Sequence, residues 1–148
     1  MVVVSDLVDD VNNIHPINKH DVGLRLANWA LSDHYHQQGI AYKNPVYKSM
    51  EIANDKAVLS FENVPTGLIC KGKTITEFFI AGSDKIFYPA IVKIERDKLV
   101  VSAKQVFAPV AVRFSFNNTS IGNIFNTEGL PVTPFRTDTW EVDRSKLF

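Results

Sequence analysis

Val46-Tyr47-Lys48-Ser49-Met50-Glu51-Ile52, the pair Asn54-Asp55, then Ala57-Val58-Leu59-Ser60-Phe61 is the stretch that decides how this chain folds. Ala57, Leu59 and Phe61 fall on every second position, which makes one face of an extended segment apolar, as a half-buried strand requires. Asn54 and Asp55 are turn formers placed where the chain must reverse, so the two runs read as a hairpin. The same texture continues downstream. Short β-branched and aromatic runs recur over Thr74–Ile80, Ile86–Ile94, Leu99–Ala103 and Val110–Phe116, with Arg96-Asp97 marking another reversal. Six such runs without a helical period between them predict a mostly antiparallel β-sandwich or jelly-roll-like domain over residues 41–148. From Asn117 onward, Pro131 and Pro134 punctuate a tail that reads as a loop wrapping over other structure. Neither an internal repeat nor a low-complexity tract interrupts this pattern.

Upstream the reading differs. Val2–Leu7 is short, β-branched and nearly continuous, which suits a strand buried on both faces as in a parallel sheet. Polar, turn-forming residues Asp9–Asn13 end it. From Asn18 to His36 the apolar residues Leu24, Ala27, Leu31 and Tyr35 follow steps of three and four, and Val22, Leu26, Trp29 and Ala30 widen the stripe. Asn18 can cap this helix, Asp21 sits in its first turn, and Gly39 is expected to close it. One strand and one helix cannot make a sheet, since a strand needs hydrogen-bonded neighbours. Residues 1–40 are therefore expected to form a unit completed by polypeptide outside this chain. An unpaired first strand would also favour homo-oligomers of the isolated chain.

Composition narrows the function classes. With 148 residues, 45% apolar, 22% charged and a net charge of zero, the chain is ordinary globular material. It is long enough to bury roughly 68–70% of its unfolded surface. Lys and Arg are scattered, so the concentrated basic surface of a nucleic-acid partner is missing. No run approaches the ~18 apolar residues of a membrane span. Cys70 is the only cysteine, which excludes an internal disulfide and a cysteine-rich zinc site. Nothing in the pattern implies a cofactor or a metal.

Four histidines are available, His15, His20, His34 and His36. His15 stands out because it lies between the expected strand and the long helix, where open α/β sheets place their reactive groups. Pro16 after it favours an extended backbone at the histidine. The bland reading is a residue that shapes the helix approach. His34 and His36 suit the helix carboxyl end better than a metal, and His20 reads as a helix-start residue. Cys70, within Leu68-Ile69-Cys70, reads as a small core residue rather than a nucleophile. No Gly-x-Ser-x-Gly elbow or Gly-Asp-Ser follows an opening strand, and Ser5 lies inside the apolar run. Asn117 and Asn118 begin overlapping glycosylation triplets. A base without a nucleophile points to a fragment. The alternative is a non-catalytic β-sandwich binding glycan or protein, with Phe87, Tyr88 or Trp140 as a sugar-stacking platform.

Three blocks carry a family resemblance. Asn13-Ile14-His15-Pro16-Ile17-Asn18-Lys19 with Val22-Gly23-Leu24-Arg25-Leu26-Ala27 resembles the last catalytic block of the sialate O-acetylesterases. The second block is Phe79-Ile80-Ala81-Gly82-Ser83-Asp84-Lys85 with Phe87-Tyr88-Pro89-Ala90. The third runs through Pro109-Val110-Ala111-Val112-Arg113-Phe114, Asn126-Thr127-Glu128-Gly129-Leu130-Pro131 and Pro134-Phe135-Arg136-Thr137-Asp138. The resemblance implies an α+β fragment: residues 1–40 as the last strand and helix of an SGNH-type α/β hydrolase domain, then the β-sandwich-like domain. It implies a serine esterase that removes acetyl groups from sugar hydroxyls, typically the 9-O-acetyl of sialic acid, without a cofactor. His15 would be the general base, and the serine would lie in an upstream hydrolase segment. Where relatives carry an aspartate two or three residues before the histidine, this chain has Asn13 and Asn12, so Asp10 becomes the candidate acid and Asp9 its neighbour. The implied setting is secreted, periplasmic or lysosomal, with an O-acetylated glycan as partner and neither membrane nor nucleic acid.

Overall fold

The computed structural model describes residues 1–142; 143–148, the end of the stretch expected to be β-rich, lie outside the described residues. One α-helix, α1 (Lys19–Trp29), precedes ten strands: β1 (Val46–Ala53), β2 (Lys56–Glu62), β3 (Leu68–Cys70), β4 (Phe78–Ala81), β5 (Phe87–Pro89), β6 (Ile91–Glu95), β7 (Lys98–Ser102), β8 (Ala111–Phe114), β9 (Ile124–Asn126) and β10 (Phe135–Arg136). They form two four-stranded antiparallel sheets, ordered β1-β2-β7-β6 and β10-β8-β4-β5, and a small β3-β9 pair.

The opening hairpin behaves as its sequence dictates. Ala53 pairs with Lys56 across Asn54-Asp55, and Asn54 takes a left-handed φ of 57°, which asparagine tolerates better than most residues. Ala57, Leu59 and Phe61 all point into the core. On β1 the register shifts between Tyr47 and Ser49. That extra residue places Tyr47 and Met50, three apart, against the core, and leaves the rest of this edge strand facing water.

The first sheet contributes Leu59, Leu99 and Val101 to the interior, and the second contributes Phe78, Ile80, Val112 and Phe114. Leu68, Ile124, Val106 and Val132 close the ends. Each such side chain, fully buried, stabilises the fold by roughly 1.5–3 kcal/mol. Phe135 joins this interior from the edge, stacked on Tyr47 at 5.0 Å and edge-on to Phe61 at 5.7 Å. The run Ile86–Ile94, expected as one strand, is two. β5 pairs with β4 in the second sheet, and β6 pairs with β7 in the first. The chain changes sheets at Ala90, whose N–H donates to Phe78 O at 2.9 Å.

The expected end of an SGNH α/β hydrolase domain is not there. Val2–Leu7 pairs with no strand among the described residues, and Ser5–Leu7 is a single 3-10 turn. A strand exists through its neighbours, and the described residues offer the segment none. Arg25 holds it instead, donating to Val3 O at 2.7 Å and bidentately to Asp6 at 2.6 and 2.7 Å. The architecture is a mostly antiparallel β protein with one short helix, not an α+β fragment led by a βα unit. Asn18 caps α1 as expected, accepting from Asp21 N at 3.1 Å. The helix gives way to a π turn over Ala30–His34, and His36, with φ 57°, turns the chain left-handed before Gly39 does. No residue of α1 is buried. The tail is not all loop, since β9 and β10 lie within it.

Candidate functional site

His15 sits in the loop between the 3-10 turn and α1, and its side chain is exposed. The loop is shaped by its own polar residues. Asp10 Oδ1 accepts from Asn12 N at 2.9 Å and from Asn12 Nδ2 at 3.2 Å, while Asn13 N donates to Asp10 O at 3.1 Å. Asn13 Oδ1 then accepts the N–H of His15 at 2.9 Å. These are local turns of the kind Asp and Asn form with residues just ahead of them. Asp10 and His15 are thus parts of one loop, but no hydrogen bond joins the carboxylate to the imidazole among the described residues. Ile14 and Ile17, 87% and 75% exposed, flank the histidine with bare apolar surface.

The histidine that does meet a carboxylate is His20, whose Nδ1 lies 3.0 Å from Asp21 Oδ1. Hydrogen bonds from the Asn18 side chain and from His20 hold the Asp21 carboxyl below its ordinary value. Both side chains face water, so the pair adds little to stability. The stronger link is Arg25 with Asp6, whose side chains are 12% and 7% exposed, because it ties the loop's approach to the helix. No sequence signal exposes that pair, since its partners stand nineteen residues apart.

A second constellation gathers residues from the downstream blocks. β8 and β10 set Arg113 directly opposite Arg136, a like-charge pair that is unfavourable alone. Asp138 resolves it, accepting from Arg113 Nε at 2.9 Å, Arg113 Nη2 at 2.8 Å and Arg136 Nη2 at 2.8 Å. The Arg113 guanidinium also lies over the rings of Phe87 at 4.1 Å and Phe116 at 4.8 Å. Burial pushes the Asp138 carboxyl up, but hydrogen bonds and charge from Arg113, the Trp140 N–H and Arg136 outweigh it, leaving the group below its ordinary value. Trp140 packs edge-on to Phe87 at 5.8 Å, so these rings clasp the tail onto the sheet rather than form a free platform.

Cys70 lines an apolar groove of about 440 Å³ with Ile75, Ile91 and Ile94, and burial pushes its thiol up. Among the described residues, no group of three or more His, Cys, Asp and Glu side chains could hold a metal ion, and no helix is long and apolar enough to cross a membrane.

Fold and site together define a small antiparallel β-sandwich that carries an exposed histidine loop on a helical appendage. No protein-family model matches the chain, and no curated protein matches it. Among solved structures, a carbohydrate acetylesterase from Xanthomonas citri matches with a TM-score of 0.87 and 40% identity over 94% of this chain and 32% of that one. The chain thus spans about a third of that enzyme's length, and it is related to a carbohydrate esterase in sequence as well as in shape. Since 94% is covered, at most about nine residues fall outside the match, so most of the first forty lie within it.

Proposed function

We propose that this chain is part of a carbohydrate O-acetylesterase, acting on acetyl esters of sugar hydroxyls such as the 9-O-acetyl of sialic acid. The observation that carries the reading is the 40% identity to a carbohydrate acetylesterase over nearly the whole chain, helix included. His15 acts as general base to a serine supplied by polypeptide outside this chain. Its imidazole takes the serine proton as the oxygen attacks the acetyl carbonyl, then delivers that proton to the departing sugar oxygen. Water, deprotonated by the same imidazole, releases acetate from the acyl-enzyme. Asp10 serves as a positioning residue, acting through the Asn12 and Asn13 turns that set the loop.

The helix supports a partner of this kind. Leu24 and Leu26 are 49% and 55% exposed, and with Ile14 and Ile17 they give residues 1–40 an apolar surface that a further hydrolase segment would cover. Residues 1–40 serve as the joint and 41–142 as the sandwich that supports it. The isolated chain is expected to leave 4-nitrophenyl acetate unhydrolysed, whereas the complete protein turns it over and loses most of that rate with His15→Ala while remaining folded. Turnover by the isolated chain that His15→Ala abolishes would place the nucleophile within these residues. Wild-type rates in the complete His15→Ala protein would remove His15 from the mechanism.

A further inference from the structure

We infer that the cavity between the turn after β4 and the loop before β8 is a subsite for one uncharged sugar ring of a glycan. Phe107 is its stacking face and Asp84 its hydroxyl acceptor. The ligand class rests on the carbohydrate reading above; the place rests on local geometry. Phe107 is 81% exposed, and it stacks on no ring and under no cation among the described residues. The other surface aromatics are engaged: Phe87 lies against Trp140 and the Arg113 guanidinium, and Tyr88 packs on the core. Phe107 alone among these rings keeps a face for a ligand.

The cavity beside it is built from two closed turns. Lys85 N donates to Gly82 O at 3.2 Å, and Val106 N donates to Ala103 O at 3.1 Å. Val110 N donates to Ala81 O at 2.8 Å and ties the two turns together where Ala81 pairs with Ala111. Ser83, Asp84, Gln105 and Phe107, with Gly82 and Val106, line a space of about 210 Å³. That far exceeds the roughly 10–15 Å³ one water needs, yet falls below the about 300–1,000 Å³ of sites that enclose a whole ligand. One ring of a chain suits it. Gly82 keeps the space open. Its φ lies outside the left-handed region, so the backbone does not require glycine there. A Cβ at 82 would meet Ala108 O at 3.4 Å, Asp84 Oδ1 at 3.6 Å and Val106 Cγ1 at 3.9 Å. All three atoms belong to residues of the walls, so a side chain at 82 would enter the cavity itself.

Asp84 Oδ1 accepts from Ile86 N at 3.2 Å, which fixes the carboxylate and leaves Oδ2 unpaired among the described residues. A fixed carboxylate accepts strongly from neighbouring hydroxyls, while the Ser83 hydroxyl and the Gln105 amide can donate or accept. The ring meets the apolar C–H face that a sugar presents between its hydroxyls. No Lys or Arg lines the cavity, and the Lys85 ammonium lies toward the Trp140 ring, 5.6 Å from its centre. The lone carboxylate therefore repels an acid sugar and favours a neutral one. The subsite reads a neutral residue of the glycan rather than sialic acid.

The test is titration of the ¹⁵N-labelled chain with methyl β-xyloside and, separately, with N-acetylneuraminate. Saturable shifts centred on the 82–86 and 103–108 amides are expected for the xyloside, with Kd on the order of 1 mM. N-acetylneuraminate should bind at least about tenfold more weakly. Phe107→Ala should weaken xyloside binding by about fivefold with Tm unchanged, and Phe107→Trp should restore it. Gly82→Val should abolish it by filling the cavity; should that variant fail to fold, Phe107→Ala decides alone. No saturable xyloside shift up to roughly 100 mM, undiminished binding in Phe107→Ala, or N-acetylneuraminate bound as tightly overturns the subsite. A fall in Tm on Phe107→Ala in the complete protein but not in this chain also overturns it, since other polypeptide then covers the ring. Xyloside binding absent while the complete protein keeps His15-dependent hydrolysis removes the subsite alone. Hydrolysis absent while the xyloside still binds supports the subsite and removes the esterase reading alone.

Discussion

Replacing Asp138 with asparagine should destabilise the sandwich by about 3 kcal/mol, at the lower end of the usual cost of stripping one partner from a buried ion pair. The carboxylate, 2% exposed, accepts three charge-assisted hydrogen bonds from Arg113 and Arg136 and one from Trp140 N at 3.1 Å. Three such bonds at about 1.5–3 kcal/mol each set an upper bound well above that figure. Two effects reduce it. The asparagine oxygen still accepts, and the arginines, 16% and 28% exposed, regain some water. What remains is chiefly the repulsion of two cations held opposite each other on β8 and β10. At about 2–4 °C per kcal/mol for a chain of this size, Tm should fall by about 6–12 °C, read by circular dichroism at pH 7. The pH dependence follows from the lowered carboxyl. Its contribution is complete above the ordinary aspartate value of 3.8 and is lost as pH falls through the lower value of the folded state. The gap between wild type and Asp138→Asn should therefore close under strongly acidic conditions. A fall of less than about 2 °C at neutral pH, or a gap that persists in acid, would refute the assignment of Asp138 as the group that reconciles the two arginines.

Gly122→Ala should cost at least the 1–3 kcal/mol typical of overpacking, because the new methyl meets Phe114 at 2.4 Å; a wild-type melting curve would show that the ring moves aside freely. Asp6→Asn should loosen residues 4–7 against α1, seen as faster amide hydrogen exchange in both, since the Arg25 pair ties them together, while buried Val3, whose N–H donates to Asn44 Oδ1 at 3.4 Å, stays in place; unaltered exchange would mean the helix is secured otherwise. Cys70 should react with iodoacetamide at pH 8 several-fold more slowly than the urea-unfolded chain, because burial keeps the thiol protonated; equal rates would contradict that placement.

What the sequence made legible was the sandwich's longer strands. Ala57, Leu59 and Phe61 announce their face because alternation over seven residues is hard to produce otherwise. β3, β9 and β10 span three, three and two residues, too short for any period, and they exist because Leu68 meets Asn126 and Phe135 meets Phe114 across the fold. The Ile86–Ile94 run hid a break because both halves are apolar; only the choice of partner strand separates them. Val2–Leu7 has strand composition without strand partners, and composition alone cannot supply the missing hydrogen bonds. At the site, His15 could be found as an exposed loop histidine before a helix. The ties of the two constellations, Arg25 with Asp6 and Arg113 with Asp138, join residues 19 and 25 positions apart, and no local pattern marks them.

The crossing at Ala90 has a consequence for how the molecule can assemble. Because the chain lays down β1 and β2, then β4 and β5, then returns for β6 and β7 before leaving again for β8 and β10, the two layers are woven rather than stacked one after the other. The first layer has all its strands by Ser102, while the second still waits for β8 and β10 to complete the face that Leu59, Leu99 and Val101 pack against. A ribosome must therefore deliver most of this polypeptide before the two faces can close fully on one another.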